Sequence, residues 1–400
     1  MKVVQINAVS GAGSTGKICT AIAELLDQNG VENYIFYGCG KTSDLHSRGF
    51  VTKWSVKLQA LCSRIFGNYG FNTFFETIRM LRELDNISPD VVHLHNLHGH
   101  NVNLGLLFRY LKKHSKINIY WTFHDCWAFT GYCTHFTLDK CNKWMNGCHN
   151  CVQRKKFSWF FDRSRSLYRR KKELFSGLNM TIVTPSDWLA GLVKESFLKS
   201  YPVKTINNGI NLSIFRPIAS NFRTKYCIPE NKFILLGVAF GWDISKGLDV
   251  FIELAHRLQD DYQIVLVGTN REVDQILPKN IISIPRTKNQ TELAEIYSAA
   301  DLFINPTREE NYPTVNMEAI ACGTPVLTFR TGGSPEIVTD SCGLVVECDD
   351  VESLINCIID VRSSNRFAVS DCIKRAKDFD ANSKFEDYIK LYNIRMEDKK

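Results

Sequence analysis

The sequence has no run of 18 or more apolar residues, so no helix in it is expected to span a membrane. It also lacks a secretory leader pattern. The opening MKVVQINAVSGAGSTGK meets glycines after one short apolar run, which reads as a first strand entering a loop. The compartment expected from this is the cytoplasm. Charge of one sign is only in small excess, +7 over 400 residues, and no Arg/Gly-rich or Lys-rich tail is present. A nucleic-acid partner is therefore not expected. The dinucleotide fingerprint G-x-G-x-x-G and its acidic partner on a second strand are missing as well, which argues against an oxidoreductase. Cysteine, by contrast, is plentiful at 14. Without a leader a disulfide framework is not expected, which leaves buried thiols, metal ligands or a mixture.

The hydrophobic content of 44% and charged content of 23% suit a soluble chain long enough for two cores. Short runs rich in Val, Ile and Phe, such as Val3–Ile6, Val91–Leu94, Ile117–Thr122, Ile234–Val238 and Leu302–Ile304, alternate with helix-length amphipathic stretches. That alternation predicts parallel sheets in an α/β architecture. The pattern runs twice. It implies a first domain over 1–205, a linker over 206–220, a second domain over 221–370, and a helical segment over 371–400 that packs back on the first domain. The fold class expected is thus two Rossmann-like, doubly wound domains facing across a cleft, where ligands bind at strand carboxyl ends.

Four features carry chemistry. Gly11, Gly13 and Gly16 follow the opening strand and precede a helix expected over Lys17–Asn29. Glycine there admits a ligand close to the backbone, and a helix amino terminus favours an anion; a plain strand–helix turn fits the same spacing. Thr122-Phe123-His124-Asp125 lies just past an apolar strand, and His124 is either a group facing a ligand or half of a His–Asp pair holding a loop. Lys246, in Trp242-Asp243-Ile244-Ser245-Lys246-Gly247, is placed after a strand where a cation meets a diphosphate, with a solvated lysine as the alternative. The fourth feature is Glu309-Glu310-Asn311-Tyr312-Pro313-Thr314-Val315-Asn316-Met317-Glu318, followed by ACGTPV at 321–326 and GGSPEIV at 332–338. Glu310 falls on a loop and Glu318 inside the next helix. The helix carboxylate suits ribose hydroxyls, and the loop carboxylate and loop amides suit hexose hydroxyls.

The E-x7-E arrangement, NNGIN…FRP at 207–217, the KG at 246–247 and ELAEIYSAADLFINPT at 292–307, in this order over nearly the whole chain, resemble the family 4 retaining glycosyltransferases of GT-B fold. TFHDCWAFTGYC, the cysteine-rich insert and ENYPTVNMEA are similar to bacterial surface-polysaccharide transferases of the colanic-acid and capsule type. The resemblance implies a nucleotide-sugar donor, a glycan or lipid-linked acceptor, and no catalytic metal. It also implies roles: His124 beside the transferred sugar, Lys246 on the diphosphate, Glu310 with Asn311, Tyr312, Pro313 and Thr314 on the donor hexose, Glu318 on the ribose. The Gly11, Gly13 and Gly16 loop would cover the diphosphate. One departure is visible. The family places an arginine about six residues before the lysine, where this chain has Ala239-Phe240-Gly241-Trp242, so Arg308 or Arg286 is expected to supply that charge.

Two further segments stand outside that scheme. Within the insert 126–151, Cys133, Cys141, Cys148 and Cys151 form C-x7-C-x6-C-x2-C, a set that suits structural zinc or reduced thiols in a loop expected to have little apolar content. Arg154–Lys172 interleaves basic residues with Trp159, Phe160 and Phe161, and Lys53–Phe75 is a second such stretch. Both suit the interface of an anionic membrane, as well as an ordinary solvated helix face. Two rival readings remain, a GT-B enzyme that is not a transferase, such as a nucleotide-sugar epimerase, and a zinc-containing nucleic-acid-binding protein. The second leaves the E-x7-E half of the chain unused.

Overall fold

In the computed structural model, which describes residues 1–38, 40 and 46–393, the chain divides into two compact units. Unit 1 is Met1–Asn207 together with the chain from Phe385 onward, and unit 2 is Asn208–Lys384. Each carries one parallel sheet. In unit 1 the strands are β1 (Lys2–Asn7), β2 (Glu32–Tyr37), β3 (Ser47–Gly49), β4 (Val91–Leu94), β5 (Asn118–Thr122), β6 (Met180–Thr184) and β7 (Val203–Thr205), in the order β3-β2-β1-β4-β5-β6-β7. In unit 2 they are β8 (Phe233–Val238), β9 (Tyr262–Val267), β10 (Ile281–Ile284), β11 (Leu302–Asn305), β12 (Val326–Phe329) and β13 (Gly343–Val346), in the order β10-β9-β8-β11-β12-β13.

The sequence pattern explains both sheets. Strands covered by helices on both faces read as continuous apolar runs, because alternate residues enter different cores. Leu235, Ile264, Leu266, Leu302 and Ile304 fill one core of unit 2, and Ile234, Leu236, Val265, Val267 and Phe303 fill the other. Burying each such side chain contributes about 1.5–3 kcal/mol. The crossovers are helices whose apolar stripe faces the sheet. The first, α1 (Gly13–Gln28), buries Ile18, Cys19, Ile22, Leu25 and Leu26. Two more helices precede β4: α3 (Phe74–Ile87) buries Thr77, Met80, Leu84 and Ile87, whereas α2 (Lys53–Phe66) buries only Ser63.

Strand order reverses between β1 and β4 and again between β8 and β11. At such a point the connections leaving two neighbouring strands turn to opposite faces, and a crevice opens at their carboxyl ends. Each unit therefore has one predestined ligand-binding edge.

Two boundaries differ from expectation. Residues 208–220 are not a free linker: Ile210 and Phe215 sit in a unit 2 core, and the Ile210 amide donates to Phe379 O at 2.8 Å. The C-terminal segment is two helices, Val369–Ala376 and Ala381–Asn393. They are separated where Asp380 turns away from helical geometry and its carboxylate accepts from the amides of Asn382 and Ser383, at 2.7 and 3.1 Å. Tyr388 and Tyr392 of the last helix are buried in unit 1. Residues 394–400 of the expected segment lie outside the described residues.

Candidate active site

In unit 2 the loops after β8 and β11 meet at the reversal of strand order. Trp242 is buried, and its indole N–H donates to Val267 O at 3.0 Å, which anchors the first loop. Asp243 then caps a single turn over Ile244–Lys246, accepting from the Lys246 amide at 3.2 Å. Gly247 follows with φ 77°; a Cβ there would stand 2.5 Å from Pro306 O, so only glycine lets the two loops approach this closely. The outcome is that Lys246 Nζ lies 3.0 Å from Glu310 Oε2 and 3.2 Å from Glu309 O. Two residues 64 positions apart in sequence thus form one charged pair at the ends of β8 and β11.

The rest of the E-x7-E segment is ordered around that pair. Glu310 Oε1 accepts from the Asn311 amide at 3.0 Å, and Asn311 O accepts from the Gly333 amide at 2.7 Å. Gly332 has φ 57° and leaves no room for a Cβ against Glu310 O, which seats the GGSPE turn directly on the glutamate. Glu318 lies in the helix Thr314–Ala321, as expected, and accepts from the Tyr297 hydroxyl at 3.2 Å. The Tyr312 side chain belongs to a unit 2 core. Asn311 and Pro313 are buried too, so at 311–313 the backbone, rather than the side chains, is what the loop offers. Among the described residues, Glu309 Oε1, Asn316 Nδ2, Thr331 Oγ1 and Ser334 Oγ are buried polar atoms without a protein partner. Such atoms are few in folded proteins; Glu309 and Thr331 lie on the loops that meet at Glu310, and Asn316 and Ser334 in the helices that follow those loops.

The two candidates for the missing cation separate clearly. Arg308 is held bidentately by Asp249 (2.8 Å and 2.8 Å), by Asp349 at 2.6 Å and by Ile244 O at 2.6 Å. Its hydrogen bonds to these carboxylates outweigh its burial and raise its pKa further. It is a strut of the loop. Arg286, exposed after β10, has its guanidinium 5.5 Å from the ring centre of Phe240, inside the segment where the arginine was expected.

Unit 1 brings together residues that the sequence did not associate. His124, just past β5, faces His95, just past β4, with Nε2 and Nδ1 3.2 Å apart and the rings stacked at 16°. His95 Nε2 is 3.1 Å from Gln5 Oε1, and Gln5 Nε2 donates to Cys19 O at 2.9 Å. Because Gln5 presents its oxygen, His95 carries its proton on Nε2 and accepts at Nδ1 from His124. Behind them His93 contacts the Tyr392 hydroxyl and, at 2.8 Å, Thr122 Oγ1. Burial pushes His93 down to about 3 and His124 to about 4, and holds His95 well below its usual range. Beside them His98 Nε2 lies 2.8 Å from Asp125 Oδ2. Burial would raise the Asp125 carboxyl, but His98 and the Trp127 amide more than offset it and leave it lowered. His95, His98, His124 and Asp125 line one open pocket. His124 thus faces a pocket, and the Asp125 beside it pairs with His98. The missed partners had a signal in Gln5 and His93, which are polar interruptions of otherwise apolar parallel strands, and in His95 just past one of them.

The glycine loop also differs in detail. α1 begins at Gly13 rather than Lys17, so Gly13 and Gly16 lie inside its first turn, with Gly11 before it at φ 65°. The Gly11 amide donates to Gly16 O at 3.2 Å, closing the loop tightly on the helix start.

The cysteine insert is more apolar than its composition suggested: Trp127, Phe129, Tyr132, Phe136 and Trp144 all enter the unit 1 core. Lys171 is buried there, its ammonium donating to Trp127 O and Thr130 O at 2.7 and 3.1 Å, 3.6 Å from the Trp127 ring centre. Burial lowers it to about 7. The four thiols share one neighbourhood. A hydrogen bond with Cys133 lowers Cys151 to about 7, that same bond and burial raise Cys133, and burial raises Cys148 to about 11. Among the described residues no group of three or more His, Cys, Asp or Glu is gathered so as to hold a metal ion.

The family model described as Glycosyltransferase Family 4 matches residues 15–214, and that described as Glycosyl transferases group 1 matches 231–364. The chain is 24% identical over 374 residues, 89% of each sequence, to a protein of Escherichia coli K12 named as a colanic acid biosynthesis glycosyl transferase, WcaC. It is 31% identical over 147 residues to a GDP-mannose-dependent monoacylated alpha-(1-6)-phosphatidylinositol monomannoside mannosyltransferase of Corynebacterium glutamicum, covering 33% of this chain and 36% of that one. Among solved structures, sucrose-phosphate synthase from Thermosynechococcus elongatus superposes with TM-score 0.72 at 17% identity over 99% of each chain. HepE of Anabaena in complex with UDP does so with TM-score 0.69 at 14% identity, over 98% of this chain and all of that one. These likenesses show the fold to be GT-B.

Proposed function

Because the chain belongs to glycosyltransferase family 4, we propose that it transfers a hexose from a UDP- or GDP-sugar to a glycan or lipid-linked acceptor, with retention at the anomeric carbon, in surface-polysaccharide synthesis. The observation that carries this reading is the Lys246–Glu310 pair at the carboxyl ends of β8 and β11. Without donor each charge neutralises the other. With donor the ammonium turns to the diphosphate, and the carboxylate accepts from hexose hydroxyls. Glu318 receives the ribose hydroxyls, and Arg286 adds the second positive charge near the leaving group. The buried polar atoms of Glu309, Asn316, Thr331 and Ser334 give the donor's hydroxyls and phosphate oxygens partners to satisfy.

In the proposed reaction the acceptor oxygen bonds the anomeric carbon on the face that the nucleotide leaves. The bond from that carbon to the phosphate oxygen breaks, and the acceptor's proton passes to a donor phosphate oxygen. The protein supplies orientation and charge stabilisation. His124 hydrogen-bonds the hexose, and its buried, neutral ring suits a neutral hydroxyl better than an anion. Both nucleotides stay in the reading, because one relative is named as GDP-mannose-dependent and HepE was solved with UDP and with UDP-glucose. The four insert thiols are proposed as ligands of a structural zinc, which would have to draw them closer than they stand.

A thermal-shift screen against UDP, GDP, ADP and their sugars tests the donor. The expected result is a shift with UDP or GDP and their sugars and none with ADP. A shift with ADP alone would overturn the assignment.

A further inference from the structure

The two basic, aromatic stretches of unit 1 lie far apart in sequence, and the fold joins them. The Trp159 amide donates to Arg64 O at 2.7 Å, which sets the 158–163 segment on the carboxyl end of α2. Gly67, which ends α2 in left-handed geometry, has no room for a Cβ because Arg163 packs there. At the other end of α2, Ser55 Oγ bonds Glu76 in the first turn of α3, next to Phe74 and Phe75.

α2 is turned inside out for a helix meeting water. Its one buried residue is Ser63, while Trp54, Leu58 and Leu61, which share one helical face, are exposed, Trp54 at 80%. The adjoining segments repeat the arrangement. Phe157 turns inward and stacks on Tyr132, but Trp159, Phe160 and Phe161 turn outward, as do Phe74 and Phe75. Phe75 is 81% exposed and Phe160 65%. Single exposed apolar residues are ordinary; this many on joined elements mark a surface that meets something apolar.

Charge identifies the partner. Lys53, Lys57, Arg64, Lys155, Lys156 and Arg163 are all exposed among these aromatics. The nearby carboxylates are turned to the protein: Glu76 to Ser55, and Asp162 to the amides of Cys151 and Ser164, each at 2.8 Å. A cationic rim around aromatic and leucine side chains fits a surface with anionic headgroups over hydrocarbon, where rings insert and ammonium groups stay at headgroup level. We propose that this face of unit 1, made of α2, the start of α3 and residues 154–163, docks on an anionic lipid bilayer. It requires no donor and does not depend on the transfer reaction.

Sedimentation of the full chain with vesicles is the test, using equal phosphatidylglycerol and phosphatidylcholine against phosphatidylcholine alone. The protein binds the anionic vesicles at low salt, less at high salt, and weakly the neutral ones. Replacing Trp54, Trp159 and Phe160 by Ala together lowers the partition coefficient at least about tenfold, since each ring withdraws roughly 150–250 Å² from water. Lys57→Gln and Lys155→Gln each lower it about fivefold. The nucleotide-induced thermal shift stays unchanged in all three variants, which separates this surface from the donor site. Failure of the wild type to sediment with anionic vesicles overturns the proposal, as does equal binding by the triple alanine variant. A dimer in light scattering that the triple variant abolishes assigns the face to a second copy of the chain instead, and equally overturns it.

Discussion

The two units share a parallel-sheet plan and differ in what they place inside it. Unit 1 buries Gln5, His93, His95 and Lys171, and of the ten histidines only His256 lies in unit 2. The described buried side chains of unit 2 are apolar or neutral, with Thr307, Asn316 and Ser334 among the polar ones. Its charges, Lys246 and Glu310, stay half-exposed on loops. One unit has put titratable chemistry into its core, where desolvation holds His93, His95 and His124 in the neutral form. The other keeps charge at the rim, where a ligand can exchange with it. The first arrangement gives a rigid, acid-sensitive scaffold, and the second gives a responsive site.

Acid gives the largest expected contrast. An unfolded histidine titrates near 6.5, whereas His93 and His124 are held at about 3 and about 4. Below pH 6.5 the unfolded chain therefore binds protons that the folded one does not, and stability falls as pH falls toward 4. The slope is up to about 1.4 kcal/mol per pH unit for each such residue. Hydrogen exchange at pH 7 and pH 4.5 is expected to show β4 and β5 losing protection while β8 and β11 keep theirs. Simultaneous loss in both sheets would break the contrast.

Next in size is Lys246→Ala. Removing a preorganised cation from a developing diphosphate costs on the order of tenfold to a thousandfold in turnover. The melting temperature should change little, because a half-exposed ion pair contributes at most about 1 kcal/mol. Turnover equal to wild type would take Lys246 out of the site.

Gln5→Leu tests the opposite unit. It strands the His95 N–H and the Cys19 carbonyl in a buried place, at a cost of about 1–3 kcal/mol, measurable by denaturant unfolding. It also releases the His95 tautomer, so the ring-nitrogen shifts of His124 should move in NMR while the UDP or GDP thermal shift does not. Unmoved histidine resonances would show that Gln5 orders nothing beyond itself.

The smallest expectation concerns the insert. Because Trp127, Phe129, Tyr132, Phe136 and Trp144 already pack it, chelation should lower the melting temperature by only a few degrees, on the order of 1 kcal/mol. Metal analysis of purified protein should give close to one equivalent of zinc. Less than a tenth of an equivalent would leave the four cysteines as buried thiols.

The sequence by itself determined the sheet class, the two-unit plan and the position of the loops that carry Lys246 and Glu310. Apolar runs at strand length fix a parallel sheet, and Lys246–Gly247 and Glu310–Glu318 each lie within one strand–loop–helix segment, so local spacing already locates them. It misjudged the start of α1, which glycine's poor helix propensity disguised. Only the tertiary structure decided the rest. Gln5, His95 and His124 are neighbours because β1, β4 and β5 are adjacent in the sheet, though Gln5 and His95 stand 90 positions apart in sequence. Arg308 is a strut of its loop because Asp249 and Asp349 fold onto it. The outward face of α2 met Trp159 for the same reason. A sequence specifies each strand's own covering, but which distant side chains share a wall follows from strand order, and that is fixed only when the whole sheet is packed.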